Sequence, residues 1–375
     1  MNTPLRTVGT LVVLAVFGGA LFWALRSENE TKTVAQEQAA IAQTEALRGL
    51  VAVDVEPFFK DERVAKLLAS QRLPVQATRV GSRDMASKLG EAPDFFFASG
   101  VVAANMIADA ARKAGKSATQ SSPFHTPLVV ASWEPVAKIL VANQMAKPIS
   151  PKVYGLDMEK LTQAMLAKQR WRDLKGSGDY AVSRSVLVST TDIRRSNSAA
   201  MYLALTSQAL NGDVVSDRTK GLELAQKLAE LFKRQGFQEN YVNGAFDDYL
   251  SIGMGKTPLA FIYESQMLAQ ALKGASGGLR PEMVLMYPQP TIVNKLVLVA
   301  MTERGRKLAE LLAASKELQA IALEQGFRVG DPAAFADTAK RAGLAVDTQL
   351  TQVVDPPAFD LMFDMIDVVS KEMSQ

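Results

Sequence analysis

Serines that follow an apolar run and open a helical pattern recur three times in this sequence. Ser82 follows VQATRV, Ser99-Gly100 follows DFFFA, and Ser196-Asn197-Ser198 precedes AAMYLAL. A hydroxyl beside free backbone N–H groups at a helix N-terminus can hold an anion or a carboxylate. Every helix also needs an N-cap, and each serine taken alone reads as one. Three such ends on crevice-facing loops shift the balance towards a ligand site, because open α/β sheets bind outside the carboxyl ends of their strands. Arg83, Arg194 and Arg195 add positive charge nearby, although exposed arginines are ordinarily just solvated.

Other chemistry is scarce. The chain has no cysteine and one histidine, His125. That removes disulfides, thiolate catalysis, Cys-based metal centres and His-cluster metal sites. It also leaves a poor inventory for acid–base work at neutral pH, which argues against an enzyme. No cofactor is expected. His125 sits in SPFHTP, a proline-rich stretch, and reads as structural. GMGKT (Gly253–Thr257) resembles the end of a phosphate-binding loop, but Leu250 stands where that loop needs glycine and Pro258 follows. It reads as an ordinary loop. Asp247 and Asp248 are adjacent, a spacing that does not bring both to one site.

The elements that would position the serines alternate along the chain. Short apolar runs at Leu50–Val55, Val75–Val80, Asp94–Ser99 and Pro127–Ser132 suit buried strands, and amphipathic stretches separate them. A helix is expected to open after Gly81. This β-α-β-α-β series predicts a parallel sheet with helices on both faces. The second half repeats the logic, with strands at Ser185–Thr191, Leu259–Ser265, VLMYP and KLVLVAM, and helices between. In the tail, Phe359, Met362, Phe363 and Ile366 are spaced for one helix face. The chain has 375 residues, 48% hydrophobic and 22% charged, enough for two cores. Its net charge of +3 is too small to argue for nucleic acid.

Residues Thr7–Leu25 carry no charge. At about 1.5 Å per residue this stretch matches the hydrocarbon core of a bilayer. Phe22 and Trp23 stand where a signal peptidase site would need small residues, so the segment reads as an uncleaved anchor. Residues 27–48 read as a polar stalk. The expected setting is a single-pass inner-membrane protein with its soluble part facing the periplasm or exterior.

The stretch VGSRDMASKLGEAPDFFFASG (Val80–Gly100) resembles the type II periplasmic solute-binding proteins, especially their molybdate/sulfate-like branch. LAFIYES resembles that family's strand ending in Tyr at the ligand crevice. TTDIRRSNSAAMYLAL resembles the segment opening a second-lobe helix, and LLAASKELQAIALEQGFRV the closing helices. The match runs in order from about Leu50 to Val329. The resemblance implies an α/β, two-lobed fold here carrying an N-terminal transmembrane helix, with a small-molecule ligand held between the lobes. Lobe 1 would hold residues 49–130 and 262–375, the latter with a C-terminal helical extension, and lobe 2 residues 131–261. The two crossovers would fall near Ala131–Val136 and Phe261–Ser265. A single sheet running through both halves would contradict that arrangement. Carried over by position, ligand contacts would come from Ser82, Ser99, the helix start Ser196, Asn197 and Ser198, and Tyr263; Arg83 and Gly100 beside them complete the expected site.

Two positions depart from the pattern. Ile193 replaces a common proline. The first strand's serine-bearing turn reads DVEPFF, which puts Glu56 on the rim of the cleft. A carboxylate there repels a bare oxyanion, so the ligand should carry a donor as well as an acceptor. The resembling proteins with an acidic residue at this turn are membrane-anchored, and some are similar to those found with tellurite-resistance genes. The alternative is therefore a ligand-free structural or sensory subunit that uses its helix and tail to bind a membrane-protein partner.

Overall fold

The computed structural model describes residues 44–236 and 244–374. The expected anchor Thr7–Leu25 and most of the 27–48 stalk lie outside the described residues. Among the described residues no helix is long and apolar enough to cross a membrane.

The chain opens with β1 (Leu47–Val51), α1 (Glu56–Lys60), α2 (Glu62–Ser70), β2 (Val75–Arg79), a 3-10 turn at Met85–Glu91 and β3 (Phe95–Ser99). Asp61 accepts from the Arg63 N–H and caps α2, whose Val64 and Leu68 face inward. Phe95, Phe96 and Phe97 are all buried, as a strand covered on both faces should be. The first strand differs from expectation. It begins at Leu47 and ends at Val51, and Ala52–Val55 form a turn. Pro57 sits in the first turn of α1, where its missing N–H costs nothing, and this fixes the helix start. Nor does Ser82 open an α-helix: it lies in a turn before the 3-10 segment.

Next come α3 (Val101–Lys113), β4 (Thr119–Trp133), α4 (Glu134–Ala142), the hairpin of β5 (Ala146–Ser150) and β6 (Val153–Asp157), α5 (Met158–Leu166), α6 (Asn197–Asn211), α7 (Arg218–Lys233) and α8 (Gly244–Ser251). The expected strand at Ser185–Thr191 is not regular. It makes isolated bridges, with Ser189 pairing Ala260. The remaining elements are β7 (Leu259–Tyr263), α9 (Glu264–Leu272), β8 (Met283–Gln289), β9 (Val293–Ala300), α10 (Glu303–Ala314), α11 (Lys316–Glu324), α12 (Pro332–Arg341) and α13 (Phe359–Met373).

Two buried clusters form around this framework. One holds Leu47, Phe58, Phe95–Phe97, Phe124, Leu298 and Leu312. The other holds Val129, Trp133, Leu156, Tyr202, Phe261 and Met365. The hydrogen-bonded ladder, however, runs through both in the order β2-β1-β3-β9-β4-β8-β6-β5, with β7 on β4. The two lobes are present, but they are joined through one shared strand, β4, so the expected separation into two unconnected sheets does not hold. The reason is the 15-residue length of β4. Its first part pairs with β9 as far as Pro127, and from Leu128 onward it pairs with β7 and β8. The partner switch falls at a proline, which has no N–H to donate to a ladder. The sheet is also mixed, not parallel, because β9 runs antiparallel to both β3 and β4.

The chain crosses between lobes more often than two crossovers allow. It passes at Pro127–Leu128, then from β7 into α9, whose Leu268 joins the first core, back to β8, and again to β9. Residues 262–375 are therefore only in part a second portion of lobe 1: β9 and α9–α12 contribute to its core, but β8 and α13 do not. β8 lies in the lobe 2 ladder, paired with β6. Helix α13 buries Leu361, Met362, Met365, Ile366 and Val369 in the lobe 2 core. Its ion pairs Arg218–Asp364 (3.1 Å) and Lys233–Glu372 (2.8 Å) bind it to α7. Phe363 falls outside that face and is 49% exposed.

His125 is not in a loop but within β4, where its backbone exchanges hydrogen bonds with Arg328. Burial, then the nearby Arg328 and Lys295 charges, push its imidazole down to about 4 from 6.5. The unfolded chain thus binds this proton at a pH where the folded chain does not. Stability from this group is complete above about pH 6.5 and is lost as pH falls towards about 4. Because it is the sole histidine, His125→Gln should flatten the fall in urea midpoint across that window. An unchanged slope would contradict the assignment.

Candidate ligand cleft

Six of the nine expected site residues line one cavity between the lobes, as do Arg194 and Arg195. Its volume is about 660 Å³, and Ser82, Arg83, Ser99, Ser196, Asn197 and Tyr263 all contribute. Ser82, Arg83 and Ser99 come from the lobe 1 side. Ser196, Asn197 and Tyr263 come from α6 and β7 on the other side. Helix α6 is buried nearly all round, from Ser198 to Gln208, so its N-terminus is held by the lobe 2 core. Ser196 makes no capping hydrogen bond there, which leaves first-turn N–H groups without a side-chain cap.

The hydroxyls differ in what they have left to offer. Ser82 Oγ accepts from the Ser99 N–H at 3.0 Å and keeps its own proton to donate. Ser99 Oγ donates to Asp54 Oδ2 (2.7 Å) and accepts from Asn294 Nδ2 (3.0 Å). Asn197 Nδ2 donates to Asn294 Oδ1 (3.1 Å) and Tyr263 Oη (3.3 Å). This makes a polar chain from the lobe 2 helix end to Asp54. Tyr263 keeps its phenolic proton, since burial and then the Asp54 charge push the group up. Ser196 and Ser198 instead form a buried triangle with Thr191, at 2.7, 2.8 and 2.9 Å. Ser198 does not line the cavity. Gly100 does not line it either, but lies against the Asn197 amide.

The acidic residue at the cleft is Asp54, not Glu56. Glu56 lies outside the cavity lining, paired with Lys60 (2.8 Å) and Arg79 (3.6 Å). Because β1 ends at Val51, the turn beyond it presents Asp54, and Glu56 falls into the first turn of α1. Pro57 was the signal that could have located this turn. Burial pushes the Asp54 carboxyl up, against the opposing effect of the Ser99 hydrogen bond. Its Oδ1 is buried and has no hydrogen-bond partner among the described residues. A buried acceptor left unmade costs about 1–3 kcal/mol, so a donor from a ligand would recover it. Asn294 was also missed, because it stands at no motif in the sequence, and Thr191 lies in the TTDIRRSNS stretch but is not at the helix start itself.

Four arginines and two aspartates line the cavity, so its field favours an anion overall. Three of the arginines are already engaged, Arg79 with Glu56 at 3.6 Å. Arg83 Nη1 donates to the Ile193 carbonyl across the cleft at 2.6 Å. Arg194 forks onto buried Asp192, with Nη2–Oδ2 at 2.6 Å. Burial pushes the Asp192 carboxyl up, but this pairing outweighs it and holds the group below its ordinary value. Arg195 is exposed and has no ion-pair partner among the described residues.

Solved structures share this two-lobed α/β architecture. Apo ferric ion-binding protein A from Pasteurella haemolytica aligns with a TM-score of 0.54 at 11% identity, over 88% of this chain and 98% of that one. Iron-bound HitA from Pseudomonas aeruginosa aligns at 0.53 and 12%, over 88% and 99%. An ABC transporter structure from Clostridium perfringens aligns at 0.52 and 12%, over 87% and 99%. At these identities the likeness is one of fold. The chain has the mixed α/β, two-lobed periplasmic-binding-protein fold. No protein-family model matches the sequence, and no curated protein matches it.

Proposed function

We propose that this chain is an extracytoplasmic solute-binding protein that closes two lobes around a small, oxygen-rich ligand without a covalent step. The observation that carries the reading is the interlobe cavity, lined from both lobes by Ser82, Ser99, Asn197 and Tyr263 and holding the unpartnered Oδ1 of Asp54. Residues Thr7–Leu25 would anchor it as a single-pass inner-membrane protein. The molybdate/sulfate-like resemblance is kept for the serine-bearing loops and set aside for the ligand. Asp54 favours a ligand that brings a hydrogen-bond donor, which a bare dianion lacks.

Melting the soluble part with sulfate, molybdate, citrate or single amino acids tests this. A bound compound raises the melting temperature by mass action and reduces the radius of gyration in X-ray scattering as the lobes close. Ser82→Ala should weaken that compound about fivefold, the worth of one neutral hydrogen bond. If none of them moves either quantity, the binding reading is rejected.

A second reading has one specific observation in its favour. Arg83 already joins the lobes through the Ile193 carbonyl, and the Ser99, Ser196 and Ser198 hydroxyls are spent on internal partners. A scaffold subunit for a membrane partner would look like this, and it would show no ligand-dependent melting.

A further inference from the structure

The polar cavity opens beside a second one. That chamber, about 830 Å³, shares Val53, Asp54, Arg79 and Tyr263 with the first. Beyond the shared wall the lining is amphipathic: Pro57, Phe246, Ala269, Leu272 and Phe327 supply apolar surface from both lobes and from α9 between them, and Gln270, Lys273 and Glu324 stand among them. Each chamber is of the size that ordinarily takes an organic ligand. A sulfate or molybdate ion would fill a small part of either.

The polar atoms on the walls point the same way. Four buried side-chain atoms lack a hydrogen-bond partner among the described residues, and two of them, Asp54 Oδ1 and Gln325 Oε1, belong to residues that line these chambers. Asp54 Oδ1 is at the partition, and Gln325 lines the second chamber. Both are acceptors as placed. A bare oxyanion brings neither of them a proton and repels an ionised Asp54.

We infer that the ligand is an organic acid whose anionic end sits in the Ser82–Asn197 chamber. An ammonium or hydroxyl beside that end donates to Asp54, and an apolar body fills the second chamber. This inference rests on the binding reading above and narrows its ligand class: only the acid end is oxygen-rich, and the rest of the ligand is apolar. Tyr263 stands at the partition, protonated and hydrogen-bonded to Asn197, and borders the acid end. Phe246 and Phe327 cover the body.

Calorimetry and melting with a graded set of probes test it. Phenylalanine and phenyllactate have all three parts. Phenylpropionate lacks the donor, glycine lacks the body, and sulfate lacks both. The first two should bind about tenfold or more tighter than the rest, the scale of one charge-assisted hydrogen bond or one buried ring. Asp54→Asn should remove the preference of phenylalanine over phenylpropionate. Ala269→Trp, which fills the second chamber and leaves the first untouched, should remove the preference over glycine. If sulfate or molybdate binds as tightly as phenylalanine and Ala269→Trp changes nothing, the inference fails while the binding reading stands. If no probe, organic or inorganic, shifts melting, both fail together.

Discussion

Arg328→Met should destabilise the protein by about 3–5 kcal/mol, because it strands a buried carboxylate. Glu264 is 0% exposed and Arg328 7%. They pair through two hydrogen bonds, Nε to Oε2 at 2.7 Å and Nη2 to Oε1 at 2.8 Å. Tyr287 donates to the same carboxylate, and Arg328 Nη2 also donates to the Asp347 carbonyl at 2.5 Å. The guanidinium stacks 4.3 Å from the Phe335 ring. Burial pulls the Arg328 group down, yet its pairing with Glu264 outweighs this and raises it.

The place of this pair matters more than its energy. Glu264 begins α9, directly after lobe 2 strand β7, and Tyr287 is on β8. Arg328 is bonded through its backbone to β4 at His125, and Asp347 lies on the segment leading towards α13. One buried ion pair thus ties together the segments that pass between lobes. Replacing both partners, as in Glu264→Leu with Arg328→Met, should cost much less than either change alone, since no charge is left unpaired. Urea midpoints of the two single variants and the double form the cycle. Single changes that each cost under about 1 kcal/mol would show the pair to be unimportant to the junction.

Gly100→Ala should cost about 1–3 kcal/mol from its backbone alone. Gly100 lies at φ 93° and ψ 147°, a region that essentially only glycine occupies. An added Cβ would also lie 2.7 Å from Asn197 Oδ1 and 2.9 Å from Nδ2. Asn197 would have to swing away from Tyr263 and from Asn294, and the polar chain from α6 to Asp54 would break. Ligand-dependent melting should therefore disappear as well. Asn197→Ala in the same chain relieves the contact and leaves the backbone strain. The double variant should then be less destabilised than the sum of the singles, by about 0.5 kcal/mol or more. Strict additivity would mean that the glycine and the amide are not coupled.

Much of this architecture was legible in the chain's local patterns. The buried runs at Phe95–Ser99 and Leu259–Tyr263 are strands, and the patterns behind α2, α3, α6 and α7 are helices. Those features depend on periodicity within one segment, and a side chain's period is set by backbone geometry. The convergence of Ser82, Ser99, Ser196, Asn197 and Tyr263 followed from the same source. Each stands at a strand end or helix start, and such ends collect on one side of an α/β layer.

The errors have a common cause. Ser185–Thr191 has a strand's composition, but it meets β7 only through Ser189 and forms no ladder. β8 reads as a strand from its apolar run, yet nothing in that run says which lobe it joins. Its pairing with β6, more than a hundred residues earlier in the chain, decides that. Helix α13 has an apolar stripe that would fit either core, and contact with α7 assigns it to lobe 2.

By itself the sequence determined the types and order of the elements, the absence of thiol and histidine-cluster chemistry, and the set of loop ends from which a site could be built. Only the tertiary structure decided which carboxylate reaches the cleft. Ending β1 at Val51 turns Asp54 inward and leaves Glu56 to Lys60 and Arg79. It also decided that Ser82 keeps a free proton while Ser196 accepts from Thr191 and is closed with Ser198 into a buried triangle. The physical reason is range. A hydrogen bond forms or fails on shifts of about an ångström, and these shifts are set by strand register and core packing between segments far apart in the chain.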